Sequence, residues 1–577
     1  YDKTPPTGSL TINDGAAATD STTVTLRISA SDALSGVSEM RFSNDGSTWS
    51  EWEGFSSTRS NWDLSRFGGS AEPGSKTVYA QVRDRAGNVS QVFSAAIRLT
   101  PYTVCPSGCP FTRIQPAIDA AKSGDTITIG PGTYSENLTI TKSLILDGAG
   151  RVTLSGDEAN PAVSIKYARD ITIKGFVIKN GRFGILVERS SRVTVTNSTI
   201  EENTINGIFI EDSTEVSVTE SRIINNKPGR DGKFGIGINI IRSKADILNN
   251  TISWNSREGI AIQDNSQAEI KGNQILNTKA DAEVWGSGVV ILRGSTATIS
   301  NNAIHNNTGV GIDVITNSRA TISNNTISEN DYEGIHVKAN SNATITDNTI
   351  EKNGEIGILI WIDSEAEIRG NKITNTKLNP ESMIGDGIEI IDNSKVTMEN
   401  NIITGSGRIG VWVGGGHYYA DPTRTFRSSI AIVKNNTISS NQAGGVEIHS
   451  SQVTLEKNTI EDNIVEGIWI GGTAKVEVID NRIQNNKPNA QGNFGDGIAV
   501  EDNAQVTIKG NIITNNARLG IGLWDSAKAA IQNNIIKDNG SCGIYADSST
   551  NITSCSGNTV FGNKHGDYCG AARGRCF

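Results

Sequence analysis

The sequence predicts an all-β protein in which a β-sandwich precedes a long solenoid of short parallel strands. From residue 171 onward the chain repeats every 22 to 23 residues, or about 30 where a unit is lengthened. Each unit holds three short apolar segments between polar turns, as in ATISNNTISENDYEGIHVKANSN, which starts at Ala320. No apolar stripe with a period of 3.6 residues is present, so helical repeats are excluded. Self-similarity at this period indicates a solenoid with three strands per rung.

Residues 1–100 follow a different pattern, with short alternating segments such as TVTLRISA and KTVYAQVRDRAGNVS between turn signals. This spacing is typical of a β-sandwich. DRAGNVS and SNDGSTWSEWE resemble the immunoglobulin-like modules of bacterial surface proteins, and the resemblance implies a spacer or assembly role. YDKTPPTGSL resembles the junction between two such modules, so the chain is either a piece of a longer protein or begins at an arbitrary boundary.

The segment FTRIQPAIDAAKSG predicts one amphipathic helix before the repeats. Phe111, Ile114, Ala117, Ile118 and Ala121 share one helical face, and Gly124 ends the pattern. A helix here would cover the open edge of the first rung, which would otherwise invite aggregation. We therefore expect a cap and first rungs in residues 101–170, regular repeats in residues 171–540, and a cysteine-rich cap in residues 541–577.

One asparagine per unit stands two residues before the apolar residue of the second strand. At a rung spacing of about 4.8 Å, stacked amides can bond to the rungs above and below as a ladder. The column comprises Asn250, Asn273, Asn302, Asn325, Asn348, Asn371, Asn401, Asn436, Asn458, Asn481, Asn511 and Asn534. These repeats resemble the parallel β-helix repeat family of the pectin-lyase-like superfamily, and within it the NosD-like or carbohydrate-binding-and-hydrolase repeats. The resemblance covers residues 105–577 and implies a right-handed parallel β-helix, but enzymes, adhesins and structural proteins share that fold.

Composition excludes several classes of function. The formal net charge is -10 and no basic run is present, so a nucleic-acid partner is not expected. No apolar run reaches the roughly 18 residues of a membrane span. Six cysteines lie in two clusters without a CxxC pair, which favours disulfides and a secreted or cell-surface location over zinc, although the pairing of the last four stays open. They are Cys105, Cys109, Cys542, Cys555, Cys569 and Cys576.

Side-chain alternation along the third strand predicts a surface. The residues one and three after its glycine should point into the core, and those two and four after it should point outward. The outward positions include tryptophans suited to stacking on sugars, and polar side chains suited to hydroxyls or acid–base work. We expect the binding site within residues 313–469, with Asp313, His336, Lys338, Trp361, Trp412 and Trp469 among its contacts.

Long loops border this surface. Four units are lengthened before the third strand, where Phe234, Trp285 and Phe494 would form one wall of a trough. An insertion after Val413, GGGHYYADPTRTFRSS, lies at the other end of the strand, where Tyr418, Tyr419 and Arg427 would form the opposite wall.

Two catalytic arrangements are conceivable within this trough. Glu389 and Glu447 are two rungs apart, about 9.6 Å by strand spacing, near the upper end of the roughly 6.5–9.5 Å separation in inverting glycosidases. Alternatively, His449 could be a base, with Arg424 stabilising negative charge in a uronate elimination. The paired-aspartate and Gly-His-Gly motifs of polygalacturonases and the Asp-Pro-His-Asp motif of alginate epimerases are missing.

The sequence therefore favours a non-catalytic surface scaffold that binds polysaccharide or assembles with copies of itself into a sheath, filament or layer. A polysaccharide lyase, hydrolase or epimerase is the alternative. No cofactor is expected, except that calcium could be held by the loops containing Asp386 and Asp496. Copper, which the NosD resemblance suggests, is disfavoured because three Met and five scattered His do not form a soft-ligand site.

Overall fold

The computed structural model describes residues 1–283, 286–418 and 421–576, with the backbone alone for residues 416–418 and 421–425. Residues 1–100 form two β-sheets around a core that includes Leu26, Phe42 and Trp62. One sheet contains Thr7–Ile12, Thr23–Ser31 and Thr58–Asp63, and the other contains Ala18–Thr19, Val37–Ser43, Glu53–Gly54, Gly74–Asp84 and Phe93–Leu99. A short 3₁₀ helix spans Asn13–Gly15. The two sheets agree with the predicted sandwich, and the immunoglobulin-like assignment stays a prediction.

The predicted capping helix is present at Ile114–Ala120, where Ile114, Ala117 and Ile118 are buried. The helix is shorter than the pattern suggested because Ala121 already has extended backbone angles. These side chains join the long apolar core of the repeats, and the capping role of the helix stays a prediction. The strands Thr103–Val104, Thr126–Ile129, Gly132–Ser135, Leu144–Ser155 and Arg169–Lys179 lead into the regular rungs.

The repeats form a parallel β-helix in which each strand type stacks on its own kind. First strands are Ser191–Thr196, Thr214–Thr219, Lys244–Leu248, Gln267–Lys271, Thr296–Ser300, Arg319–Ser323, Asn342–Thr346, Glu365–Arg369, Lys395–Glu399, Ile430–Lys434, Gln452–Glu456, Lys475–Ile479, Gln505–Lys509, Lys528–Gln532 and Asn551–Ser556. Second strands are Thr199–Glu201, Arg222–Ile224, Thr251–Ser253, Gln274–Leu276, Ala303–His305, Thr326–Ser328, Thr349–Glu351, Lys372–Thr374, Ile402–Thr404, Thr437–Ser439, Thr459–Glu461, Arg482–Gln484, Ile512–Thr514, Ile535–Lys537 and Thr559–Phe561.

The third strands form a separate parallel sheet of 18 strands, which we call the third-strand sheet. Its strands are Leu138–Ile140, Val163–Lys166, Phe183–Glu188, Asn206–Glu211, Ile236–Ile241, Glu258–Gln263, Ser287–Leu292, Ile312–Ile315, Ile335–Lys338, Ile356–Trp361, Asp386–Ile391, Val411–Gly414, Gly444–His449, Glu466–Gly471, Asp496–Val500, Ile521–Leu523, Cys542–Ala546 and Gly566–Gly570. The insertion after Val413 adds a two-stranded antiparallel hairpin, Gly416–Tyr418 with Asp421–Phe426.

The predicted asparagine ladder is confirmed. Asn325 donates from Nδ2 to Oδ1 of Asn348 at 3.0 Å, and Asn348 donates in the same way to Asn371 at 3.0 Å. A second ladder, missed by the sequence analysis, runs through the turn after the second strand, as in the 3.0 Å bond from Asn330 to Asn353. Both columns are buried, so each amide satisfies polar groups that water cannot reach.

All six cysteines form disulfides, as predicted. Cys105 bonds to Cys109, Cys542 to Cys569 and Cys555 to Cys576, which resolves the open pairing at the second end. A short 3₁₀ helix at Ala571–Gly574 lies between the last two cysteines and buries Ala572 against the core. Among the described residues, no helix has the length and apolar character needed to cross a membrane.

Candidate ligand-binding trough

Rungs of the third-strand sheet with a glycine at the bend, such as the rung of Gly259, present three outward positions, one more than alternation predicts. Gly259 faces the interior, because a Cβ there would lie 2.8 Å from the core methyl Cγ2 of Ile275. Ile260 also faces the core, so the alternation shifts at the glycine and the preceding residue, Glu258, faces outward. The signal was present in the sequence as an acidic residue before the third-strand glycine, as in REGI, YEGI, GDGI and VEGI.

A cavity of about 910 Å³ lies along this surface between the strands Phe183–Glu188 and Ile356–Trp361, and we call it the trough. Its lining combines aromatic rings, carboxyl groups and a histidine. The lining includes the side chains of Asn206, Phe209, Phe234, Arg257, Glu258, Arg293, Asp313, Glu333, His336, Lys338, Glu355 and Trp361. Of the predicted contacts, Asp313, His336, Lys338 and Trp361 therefore lie together, but the trough begins earlier in the chain than the expected span of 313–469.

Asp313 and His336 occupy the same column on neighbouring rungs. Nδ1 of His336 lies 3.4 Å from Oδ1 of Asp313, and the imidazole stacks on Trp361 with centroids 6.0 Å apart. Burial, with the nearby Lys338 ammonium, holds the pKa of His336 well below its usual value, so the ring is neutral near pH 7. Burial raises the pKa of Asp313 to about 6, although Lys338 opposes the shift.

Two further carboxyl groups in the trough were missed by the sequence analysis. Burial raises the pKa of Glu258 to about 7 against the opposing charge of Arg257. Burial also raises the pKa of Glu333 to about 7, and the Asp313 and Glu355 carboxylates add to that shift. The trough thus holds three carboxyl groups that change charge close to neutral pH.

Two of the three cations in the lining are engaged by neighbouring side chains. Arg257 lies 3.3 Å from both Glu258 and Glu283, and its guanidinium covers the ring of Phe234 with 5.1 Å to the centroid. Arg293 pairs with Asp264 and donates to the Gln263 amide, both outside the carboxyl cluster. In the described part of the chain Lys338 has no carboxylate within 4.0 Å.

Trp412, which we expected to be an exposed stacking ring, is buried at 3 % exposure. It packs with Ile356, Leu359, Ile391, Ile409 and Phe426 in a small apolar cluster on the outer side of the sheet. Phe426 ends the second strand of the inserted hairpin, so this loop covers the sheet here. Trp412 therefore stabilises the covering loop and does not line the trough. Trp469 also lies outside the trough, where it stacks on His449 with centroids 6.0 Å apart.

The pair Glu389 and Glu447 has the predicted two-rung spacing, because Glu389 aligns with Trp412 and Trp412 with Glu447. However, Glu389 is only 1 % exposed, and Arg408 lies 3.3 Å from its carboxyl group. Burial, with Asp386 nearby, raises the pKa of Glu389 well above its usual value, and burial raises that of Glu447 to about 7. Glu389 is thus buried, Glu447 is half-buried and Trp412 is buried between them, so the pair is less accessible than the open glycosidase site that the sequence predicts.

The other predicted side chains near the insertion have structural partners or lie outside the described parts. His449 donates from Nδ1 to the carbonyl of Gly415, so it anchors the hairpin. Arg427 pairs with Asp363 at 2.7 Å and with Asp392 at 2.9 Å, which ties the far end of the insertion to two earlier rungs. Tyr419 lies outside the described residues, as does Trp285, and the side chains of Tyr418 and Arg424 are also outside the description.

The predicted calcium ligands are also engaged. Asp386 accepts a two-pronged interaction from Arg408, and Asp496 accepts the same interaction from Arg518; both aspartates are fully buried. A guanidinium thus occupies the position that a cation would take. In the described residues, a group of carboxylates close enough for a metal occurs instead in the N-terminal sandwich, at Asp2, Asp32 and Asp84.

Comparison with known proteins gives matches along the repeats. The family described as "Right handed beta helix region" matches residues 258–421 and 424–576, more than half of the chain. The family "Periplasmic copper-binding protein (NosD)" matches residues 118–288. A cell surface glycoprotein of Methanothermus fervidus is 32% identical over 200 residues, 34% of this chain and 33% of the relative. The chain thus spans about a third of that relative's length. These matches and the disulfides agree with the predicted secreted or cell-surface location.

Among solved structures, pectate lyase Pel9A is 16% identical, with a TM-score of 0.39 over 46% of this chain and 77% of that one. A mutant form of the periplasmic alginate epimerase AlgG is 15% identical, with a TM-score of 0.35 over 58% of this chain and 84% of that one. The stacked parallel strands of the rungs and the family match over more than half of the chain agree. The chain belongs to the right-handed β-helix family.

Proposed function

We propose that this protein is a surface β-helix whose trough binds a glycan chain without cleaving it. The observation that carries the proposal is the elongated cavity of about 910 Å³, which combines aromatic rings with convergent polar groups. Phe209 and Trp361 offer apolar faces for sugar rings, and the polar side chains between them can fix hydroxyl positions. The surface location rests on the disulfides and on the similarity to a cell surface glycoprotein.

Binding of polysaccharides to the full chain tests this proposal directly. Affinity electrophoresis or titration calorimetry against a panel of neutral, amino and acidic polysaccharides should find at least one that binds. Phe209→Ala and Trp361→Ala should each weaken that binding about 5- to 30-fold, because each removes a stacking face worth roughly 1–2 kcal/mol. Trp254→Ala is the matched control, since Trp254 is 49% exposed and does not line the trough. Equal losses in all three variants, or no binding, would contradict the proposal.

Cleavage of the bound glycan is the second candidate function, supported by the raised pKa values of Asp313, Glu258 and Glu333. A carboxyl group with a pKa near the working pH can act as a general acid. Assays for new reducing ends and unsaturated products decide between binding and cleavage. Turnover that disappears in Asp313→Asn or Glu333→Gln would establish the enzyme, and binding without product would support the non-catalytic function.

Self-assembly into a sheath, filament or layer is the remaining alternative. A shallow groove of about 720 Å³ on the outer face of the first strands includes the exposed side chains of Ile430 and Ile432. Exposed apolar side chains of this kind suit lateral contacts. Electron microscopy and sedimentation of the purified chain would show ordered assemblies on this alternative and monomers on the leading proposal.

A further inference from the structure

The buried polar atoms of the trough that have no hydrogen-bond partner in the described chain are mostly acceptors. They include Oδ1 of Asn206 and Oε2 of Glu258. Nε2 of His336 also has no partner, and it is an acceptor when the Nδ1 proton points to Asp313. Asn206 is 2 % exposed and His336 is 4 % exposed, so these groups are inside the fold and depend on a ligand or on small rearrangements for partners. Above about pH 7, where Glu258 is ionised, a partner for such groups must supply donors.

The charges in the trough also disfavour a ligand that carries negative groups. Glu258, Asp313, Glu333 and Glu355 contribute four carboxyl groups to the lining, against three cations. Arg257 is shared by Asp281, Glu283 and the lining residue Glu258, and Arg293 is held by Asp264, so both cations already have carboxylate partners. Lys338 is the remaining cation. Above about pH 7, where these carboxyl groups are ionised, an anionic ligand would therefore meet an excess of negative charge in a partly dehydrated site, where like charges repel most strongly.

We infer that the trough selects a glycan chain that carries no carboxylate or sulfate groups and is recognised through its hydroxyl and amino donors. This specificity rests on the proposed glycan-binding function. Neutral hexose chains and chains with free amino groups share the required chemistry, because both present several donors and no negative charge. Uronate chains present negative charge at every sugar and so meet the repulsion described above.

The exclusion of negatively charged glycans should become stronger as the pH rises. Glu258, Asp313 and Glu333 have raised pKa values, so they are largely neutral at pH 5 and largely ionised at pH 8. The groups facing them are Arg257, Asp281, Lys338, Glu355 and the neutral His336. Exclusion of uronate chains should therefore strengthen as the pH rises.

The test measures binding of three soluble oligosaccharide sets to the full chain at pH 5 and pH 8 by titration calorimetry. The sets are neutral hexose oligosaccharides, chitosan oligosaccharides and oligogalacturonates. We expect binding of a neutral or chitosan oligosaccharide and, at pH 8, at least tenfold weaker binding of oligogalacturonate. Glu258→Gln combined with Asp313→Asn should raise oligogalacturonate affinity at pH 8 about fivefold or more, whereas Glu329→Gln, an exposed carboxyl outside the trough, should leave it unchanged.

The outcomes distinguish a failure of glycan binding from a failure of the proposed specificity. Failure of every set, and of the longer polysaccharides in the panel above, would overturn the proposed function. Tightest binding of oligogalacturonate by the unmodified chain would overturn the specificity and leave glycan binding standing. Because that comparison uses the unmodified chain, it decides the inference even if the double variant fails to fold.

Discussion

Asp313 and His336 lie side by side on neighbouring rungs, with 3.4 Å between the carboxylate Oδ1 and the imidazole Nδ1. Both side chains are largely buried, and burial shifts the two pKa values in opposite directions, so both groups favour their neutral forms. The pair is therefore a polar element of the trough that carries little charge in mildly acidic solution. This property, shared with Glu333 on the same rung as His336, leads to the first prediction.

Glu333→Gln should stabilise the protein at pH 8 and change little at pH 4. The folded-state pKa of Glu333 is about 7, against an ordinary value of 4.5, so the folded protein holds a proton that the unfolded chain releases between these values. The free energy of unfolding therefore falls as the pH rises through this window. Removing the carboxyl group should restore roughly 1–3 kcal/mol at pH 8. Urea unfolding at both pH values measures the effect. Glu329→Gln, at an exposed position, should leave the free energy of unfolding unchanged at both pH values.

Asn348→Ala should destabilise the β-helix by roughly 2–4 kcal/mol, because it leaves several buried groups without partners. The side chain of Asn348 donates to Asn371 and to the carbonyl of Ile322, and its Oδ1 accepts from Asn325. Thermal unfolding of the variant measures the loss. Asn342→Ala is the control, since Asn342 is exposed at the start of a first strand. A loss below about 0.5 kcal/mol for Asn348→Ala would show that the ladder contributes little.

Gly357→Ala should destabilise the protein by roughly 2–4 kcal/mol through overpacking at the bend of the third strand. A Cβ at this position would lie 2.5 Å from the carbonyl oxygen of Gly387 and 2.5 Å from Cγ2 of Ile373. Neither neighbour is free to move, because one is backbone and the other is a fully buried core side chain. Gly54→Ala, where a Cβ meets nothing within 4 Å, should be close to neutral in the same unfolding assay.

Arg408→Ala should cost roughly 3–5 kcal/mol, because it leaves the buried carboxyl groups of Asp386 and Glu389 without their cation. The penalty should shrink at low pH, because protonation of the Glu389 carboxyl group, whose pKa burial raises, removes one of the two charges left without a cation. Chemical unfolding at pH 4 and pH 8 measures the difference. Arg369→Ala, which removes a half-exposed guanidinium next to Glu367, should stay within about 0.5 kcal/mol at both pH values.

The solenoid was predictable because its inward side chains and its asparagine ladder repeat at a fixed spacing in the sequence. Inward residues such as Ile335 and Val337 repeat at fixed spacing, and the ladder column containing Asn325 reads directly from the sequence. The trough was predictable only in part. Asp313, His336, Lys338 and Trp361 follow from simple alternation, whereas Glu258 and Glu333 depend on the shift of alternation at the adjacent glycine.

Strand periodicity could not predict which outward side chains of the sheet are buried. Trp412 and Glu389 occupy outward positions, but the inserted hairpin and the loop before Asp386 cover them. Which residues a loop covers depends on how it folds back, and no repeat pattern encodes that. The partners of Arg427 illustrate the point, since Asp363 lies 64 positions earlier in the chain.

The bend at the third-strand glycine has a consequence for how this protein can change. Inward side chains and the glycine itself determine the backbone path of each rung, while the three outward side chains play no part in that path. Where no loop covers the sheet, as in the trough, substitutions at the outward positions can therefore alter the chemistry of one rung while its neighbours and the interior keep their form. The chemistry of this surface can therefore vary one rung at a time, in steps of about 4.8 Å along the axis of the β-helix.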